Sequence, residues 1–400
     1  MEKILIQASS RGWTGERDLC VREIHGRPLI HWTVKNISQA FPKTPIVIVA
    51  PLFDQGGELE TIRESFCTVD LSIFYGYDAS PLQRMLGACM DLDDYNYILR
   101  VAGLHFCVEL EVAKKMIKLA KDQKYDCVSL PDDFNPKFNS DLFRMGALRK
   151  LQKRLDGHPQ EAQFKVHPKF FMFKEKADFN CRHYTPVPEY DDRFLLDCRN
   201  FLKGLQPIER HEVTDDRIWS GDQISFHYKM ATNFLSHEMK LLDVACGAGV
   251  GIPILGKAVK EVHGADLDPE AIAKAKSELA DDKFHFHIED VTNMTFSTNS
   301  FDAVTSFETL EHVASHNYLM EIKRVLKPGG LLILSTPQNS IGHIPTEPYH
   351  FYEYSLKELK NLVKQYFDII EVIGIKAGCI TIPGDPIGTN TMLVLKNSCT

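Results

Sequence analysis

At 400 residues the chain is too long for one ordinary core and divides into two domains of about 150–200 residues each. Its 44% hydrophobic and 25% charged residues mark a globular protein, and a formal net charge of −8 without a basic stripe excludes nucleic acid as an expected partner. No uncharged apolar run reaches the roughly 18 residues of a membrane helix, and MEKILIQASS has no basic segment leading into an apolar one, so a cytoplasmic chain without a membrane span is expected.

Strands and helices then alternate in chain order, the α/β pattern. Lys3–Ala8 reads as a strand, Pro28–Ala40 as a helix and Pro45–Ala50 as a buried β-branched strand. Glu58–Phe66 (helix), Leu71–Tyr75 (strand), Leu82–Cys89 (helix) and Tyr97–Val101 (strand) continue the series. Glu109–Asp122 is an amphipathic helix, and Asp126–Leu130 is another strand. From Pro131 to Tyr190 the chain is rich in Pro, Asn, Phe and charge and shows no clear period. Leu205–Gly221 reads as a connector, and a helix at Gln223–Leu235 opens a second series. The ten cysteines stand singly with no C-x-x-C pair, which fits reduced thiols better than a zinc or redox site.

The second series carries the legible chemistry. Leu241–Gly251 (LLDVACGAGVG) is an apolar strand, an acid, then glycines opening a helix, as needed where a nucleotide-like ligand lies against backbone. Glu261–Asp266 is a short strand ending in a carboxylate able to accept both ribose hydroxyl protons. Phe284–Ile288 ends at Glu289–Asp290, where a carboxylate meets an adenine amino group. Phe301–Phe307 is a fourth strand with a helix after it. Glu321–Leu326 is a helix closed by a turn at Lys327–Gly330, and Leu331–Ser335 is a fifth, buried strand. Asp368–Ile375 and Thr391–Lys396 complete the sheet.

In order, DVACGAG, GADLDPEAI, EDV, FDAVTSFETLEHV and KRVLKPGGLLILSTP make residues 221–400 resemble the class I S-adenosylmethionine methyltransferases of the small-molecule kind called type 11. The resemblance implies a seven-stranded sheet. It also implies a cofactor loop of Asp243, Ala245, Gly247 and Gly249, a ribose grip by Asp266 beside Leu267, an adenine site at Asp290 and Val291, and Phe307 flanking the methionine portion. A nicotinamide enzyme would share the loop and the ribose acid, but the glycines here fall at every second position and Pro253 follows, unlike G-x-G-x-x-G.

The implied reaction is in-line displacement at a sulfonium methyl, for which the protein orients the acceptor and takes its proton. Glu308, Glu311 and His312 have i, i+3, i+4 spacing, so one helical turn would place them on one face as a base or as ligands of a divalent metal ion. The run resembles that of ubiquinone-biosynthesis O-methyltransferases; it equally serves as a helix cap holding the next loop. His350 and Glu353, with His343 and Tyr349 nearby, lie where the acceptor pocket is walled, and His350 joins Glu311 and His312 as a catalytic candidate.

The first 204 residues resemble sugar-nucleotide cytidylyltransferases of the spore-coat polysaccharide and CMP-Kdo synthetase type. The likeness rests on IQASSRGWTGERDL with Gly12, Gly15 and Arg17, on GRPLIHWTV (Gly26–Val34) and on YILRVAG (Tyr97–Gly103). The fold implied is a nucleotidyltransferase-like Rossmann-type sheet, with CTP or a CMP-sugar as ligand. Where that family sets a magnesium-binding aspartate after the glycine, this chain has Leu104 and His105, and Arg182–Asp192 is the nearest later acidic segment. Triphosphate chemistry depends on metal, so a binding or scaffolding role is expected ahead of turnover. The whole reads as residues 1–204, a linker at 205–220 and a methyltransferase at 221–400. Its expected substrate is a small molecule: a sugar, nucleotide-sugar or cell-envelope glycan precursor. A bifunctional cytidylyltransferase, a metal-assisted quinone or aromatic O-methyltransferase, and a non-catalytic nucleotide-binding protein are the alternatives.

Overall fold

The computed structural model describes every residue except 12–16, 157, 159–162, 203–222, 341–344, 346, 348 and 399–400. Gly12, Gly15, His343 and the linker at 205–220 therefore lie outside the described residues. The chain divides into two compact units, Met1–Pro207 and Ile208–Thr400.

In the first unit β1 (Lys3–Gln7), β2 (Ile46–Pro51), β3 (Leu71–Gly76) and β4 (Tyr97–Ala102) are parallel neighbours. All six residues of β2 are buried, as expected for a strand covered on both faces. Helix α1 (Leu29–Ala40) packs Leu29, Ile30, Val34 and Ile37 inward, and α2 (Leu110–Gln123) buries Val112, Ala113, Met116 and Ala120. The strand expected at Asp126–Leu130 forms as β5 (Cys127–Ser129), and the segment without a readable period supplies two more strands, β6 (Asp141–Arg144) and β7 (Cys181–His183), and helix α3 (Met145–Asp156). The seven strands run in the order β3-β2-β1-β4-β6-β5-β7. β6 escapes sequence patterning because it is four residues long and opens with a buried aspartate. Asp141 is tolerated there because Arg100 pairs with it at 3.0 Å and the Lys169 ammonium lies 3.5 Å away. Burial pushes its pKa up, but those two cations outweigh burial and hold it at about 2.

In the second unit helix α4 (Gln223–Ala231) continues as a single 3-10 turn at Thr232–Phe234. The strands are β8 (Lys240–Val244), β9 (Glu261–Asp266), β10 (Phe284–Ile288), β11 (Phe301–Phe307), β12 (Leu326–Pro337), β13 (Asp368–Lys376), β14 (Ile380–Thr381) and β15 (Asn390–Lys396). They form one sheet in the order β10-β9-β8-β11-β12-β15-β13-β14. The sheet thus has eight strands where seven are expected; β14 is a two-residue hairpin return on the end of β13, too short to leave a pattern. A second correction concerns Lys327–Gly330. Helix α6 (Ser315–Val325) ends before it, and these residues belong to β12, because Gly329 N–H donates to Asn397 C=O and Asn397 N–H donates to Gly330 C=O beside the last strand.

Leu241 and Leu242 show how one strand feeds two cores. Alternate residues of β8 face opposite sides. Leu242 joins the cluster built with Tyr318, Leu319 and Ile322 of α6 and Leu359 and Val363 of α7 (Leu356–Val363). Leu241 joins the other, with Tyr228 of α4 and Ile272 and Ala275 of α5 (Pro269–Glu278). β8 also marks the point where the strand order reverses, between β9 and β11, so a crevice opens at its carboxyl end. Among the described residues no helix is long and apolar enough to cross a membrane.

Candidate active site

The loop leaving β8 is set by three left-handed residues, Ala245 (φ 54°), Gly247 (φ 54°) and Gly249 (φ 79°). A Cβ at Gly247 would meet nothing within 4 Å, so this backbone borders open space. Gly251 has the opposite reason: a Cβ there would lie 2.0 Å from the Tyr228 ring. Gly247 N–H donates to Asp266 Oδ2 at 2.8 Å and Asp268 N–H donates to Oδ1 at 2.9 Å, so the carboxylate ending β9 is locked at the crevice mouth. A carboxylate oxygen accepts two hydrogen bonds, which suits Asp266 to ribose hydroxyls as well. Leu267 is 67% exposed beside it and Ile288 at the end of β10 is 55% exposed. Two bare apolar side chains flanking a crevice fit the flat face of a base. Asp290 is exposed and accepts from the Thr292 backbone and hydroxyl at 2.8 and 2.7 Å, while Val291 is buried.

Asp243 sits deeper than the cofactor loop implied. It is 1% exposed, accepts from the Thr305 hydroxyl at 2.7 Å and lies 3.4 Å from the Tyr228 hydroxyl. Burial raises its pKa to about 7. Tyr228 stands edge-on to Phe307 with centroids 4.9 Å apart, so α4 closes over the crevice beside the ring expected to flank methionine.

Residues 242–334 match a family described as a methyltransferase domain. The second unit carries a methyltransferase domain. The chain is 31% identical over 125 residues to the phthiotriol/phenolphthiotriol dimycocerosates methyltransferase of Mycobacterium leprae, covering 30% of this chain and 46% of that protein. It is 35% identical over 101 residues to the ubiquinone biosynthesis O-methyltransferase of Cereibacter sphaeroides, covering 24% and 41%. Over 138 residues it is 30% identical to the enzyme of that name from Psychrobacter arcticus, covering 32% and 54%. The chain thus spans about half the length of the curated relatives it matches.

Just past β11 the expected helical turn at 308–312 does not form. Glu308 is left-handed (φ 51°), and a 3-10 turn starts only at Leu310. The two carboxylates therefore part. Glu308 braces strand ends, accepting from Ser335 Oγ and Asn390 Nδ2 at 2.7 Å each. Glu311 turns inward, 1% exposed, and accepts from Thr336 Oγ1 at 2.8 Å. Burial, then the Glu308 charge, pushes its pKa well above the usual carboxylate range. His350 comes in from the segment beyond β12, which docks when Phe351 N–H donates to the Glu311 carbonyl at 2.7 Å. Donor atoms of Glu311, His312 and His350 all lie within 4.8 Å of one another. Glu308, expected as a metal ligand with Glu311 and His312, stands outside this group. His350 Nδ1 is 2.6 Å from Glu353 Oε1, whose other oxygen accepts from Asn339 at 3.0 Å.

The sequence reading missed His227. Its Nδ1 lies 3.3 Å from Ser335 Oγ, and since that hydroxyl donates to Glu308, the imidazole donates to Ser335. Nε2 is then an acceptor, buried and without a hydrogen-bond partner. Burial lowers its pKa, keeping the ring neutral. Its one sequence signal was a polar residue within the helix expected at Gln223–Leu235. These features together meet the needs of S-adenosylmethionine: an open glycine cradle, a locked carboxylate, apolar flanks and an orphaned acceptor near Phe307.

In the first unit, Arg17 pairs with Glu58 at 2.6 Å. His105, standing near where the metal aspartate was sought, is buried, donates to the Asn139 carbonyl at 2.9 Å and is lowered by burial to about 3. Asp191 caps a helix by accepting from Phe194 N–H at 2.8 Å.

Proposed function

We propose that the protein is an S-adenosylmethionine-dependent O-methyltransferase of a small molecule, with His350 as the base that takes the acceptor's hydroxyl proton. The observation that carries the proposal is the Asn339–Glu353–His350 chain. A carboxylate on Nδ1 fixes ring and tautomer, leaving Nε2 as the basic atom and stabilising the imidazolium that forms. When bound, S-adenosylmethionine supplies an electrophilic methyl carbon. Asp266 and the Gly247 backbone hold its nucleoside, Phe307 and Tyr228 exclude water, and neutral Glu311 offers a proton to hydrogen-bond the acceptor.

The acceptor we propose is a hydroxyl of a sugar, nucleotide-sugar or glycan precursor. The resemblance of residues 1–204 to cytidylyltransferases supports it, and CTP or a CMP-sugar is the proposed ligand of that unit, bound without turnover since no carboxylate follows Gly103. The test is methyl transfer from labelled cofactor to CMP-sugars, UDP-sugars and catechols, in parent and His350→Ala. Transfer only to catechols removes the sugar assignment, and unchanged turnover in His350→Ala removes the base.

A second reading has one observation behind it: Glu311, His312 and His350 are close enough to share a divalent ion. Ligation would need Glu311 to lose its proton against burial, so this reading predicts activity that is lost on chelation, and the base reading predicts activity that survives.

A further inference from the structure

We propose that Glu261, His263 and His285 form a site for a first-row divalent transition metal, zinc above all, at the β9–β10 edge of the methyltransferase sheet. The register puts them together: His263 pairs with His285 across parallel strands, Glu261 lies two residues earlier in β9 and His287 two later in β10, so all four share one face. Glu261 Oε1 is 2.7 Å from His263 Nε2 and 3.4 Å from His285 Nε2. Donor atoms of the three lie within 4.8 Å of one another. A tetrahedral ion with bonds of about 2.0–2.1 Å spaces its donors about 3.3 Å apart, so small side-chain shifts seat it.

His263 is held for that task from behind. Its Nδ1 lies 2.9 Å from His287 Nε2, the two rings stack at 11°, and Phe296 and Phe301 stand edge-on to it. An imidazole with one nitrogen tied to an outer partner and the other aimed at a carboxylate has the arrangement of a metal-bound histidine. The opposing charge is Lys240, 3.1 Å from Glu261 and also over the Phe301 ring; Lys276 and Glu289 face His287. An open hollow lined by Lys276, Asp281, Asp282, His285 and His287 gives access. Two imidazoles and one carboxylate select zinc, cobalt or nickel over magnesium or calcium. Glu261 stands five residues from Asp266, about 16 Å along the strand, so the ion clamps the sheet edge and takes no part in methyl transfer.

The test is cobalt titration of the untagged, chelator-treated full chain, followed by zinc. The expected result is one equivalent with visible d–d absorption, displaced by zinc, together with a zinc-dependent rise in melting temperature. His285→Ala, at a side chain 41% exposed and so safe for folding, should weaken cobalt binding at least tenfold and abolish the rise. His350→Ala should leave both unchanged. The proposal is overturned if the parent binds neither metal, if His285→Ala binds as the parent does, or if His350→Ala is the variant that loses the signal.

Discussion

Replacing Asp266 by asparagine tests the cofactor cradle most directly. The side chain is 8% exposed, and its two oxygens accept one backbone N–H each, from Gly247 and Asp268. An amide retains one acceptor oxygen; whichever way it turns, an NH2 group confronts a backbone N–H. Hydrogen bonds to charged groups contribute about 1.5–3 kcal/mol each. Losing the charge beneath two ribose hydroxyls should therefore cost about 3–4 kcal/mol of ligand binding, roughly 100- to 1,000-fold in Kd. Calorimetry with S-adenosylhomocysteine reads this, with a thermal melt run beside it to separate ligand loss from a disordered loop. Asp266→Glu keeps the charge but moves it by one methylene and should fall between the two. A Kd for Asp266→Asn within fivefold of the parent, with an unchanged melt, would refute the ribose assignment.

Gly251→Ala should destabilise the second unit by about 1–3 kcal/mol, read in its melt, because the new Cβ lands on the Tyr228 ring and pushes its hydroxyl from Asp243. Gly247→Ala meets no protein atom within 4 Å, so it should cost stability only through its left-handed φ of 54° while weakening S-adenosylhomocysteine binding more than Gly251→Ala does. Asp243 has a folded pKa of about 7 against about 3.9 unfolded. The folded state then holds the extra proton between those values, so its stability is full below pH ~4 and falls as pH rises to ~7, by about 4 kcal/mol. Denaturation of the second unit across that range should show the slope, and Asp243→Asn should flatten it. His350→Ala should lower kcat by about 10²–10⁴-fold, whereas Glu311→Gln, which keeps a neutral hydrogen-bonding group, should stay within about tenfold at pH 7.

The loop of the proposed cradle was legible because its demands are local. Glycines at 247 and 249 take the left-handed φ the turn needs, and the acid ending β9 meets that turn, each within a few residues of its strand. The long parallel strands were legible for a similar reason: six buried residues at Ile46–Pro51 leave a continuous apolar run. What failed to show was nonlocal. β6 and its buried Asp141 make sense only with Arg100, 41 residues away, and Lys169, from a helix after it. His227 lies 108 residues from Ser335, and no spacing rule connects them. The turn at 308–312 misled because i, i+3, i+4 spacing presumes helical φ, and Glu308 adopts +51°.

That single dihedral has a chemical consequence. On a helix, Glu308 and Glu311 would face one cavity as a pair of equivalent acids. The left-handed residue sends Glu308 to Ser335 and Asn390, where one group from each of two strands holds it. Glu311 is left inside, facing Thr336, with Glu308's charge near enough to oppose its ionisation. Two carboxyl groups whose surroundings differ this much are suited to different roles: one bridges β12 and β15, and the other, its pKa raised by burial, lies close to His312 and His350. Under the proposed function, the acceptor end of the site would then pair a carboxyl whose ionisation is opposed by burial with an imidazole that has its own carboxylate, a donor and a base side by side, which is what a hydroxyl needs in order to be both oriented and deprotonated.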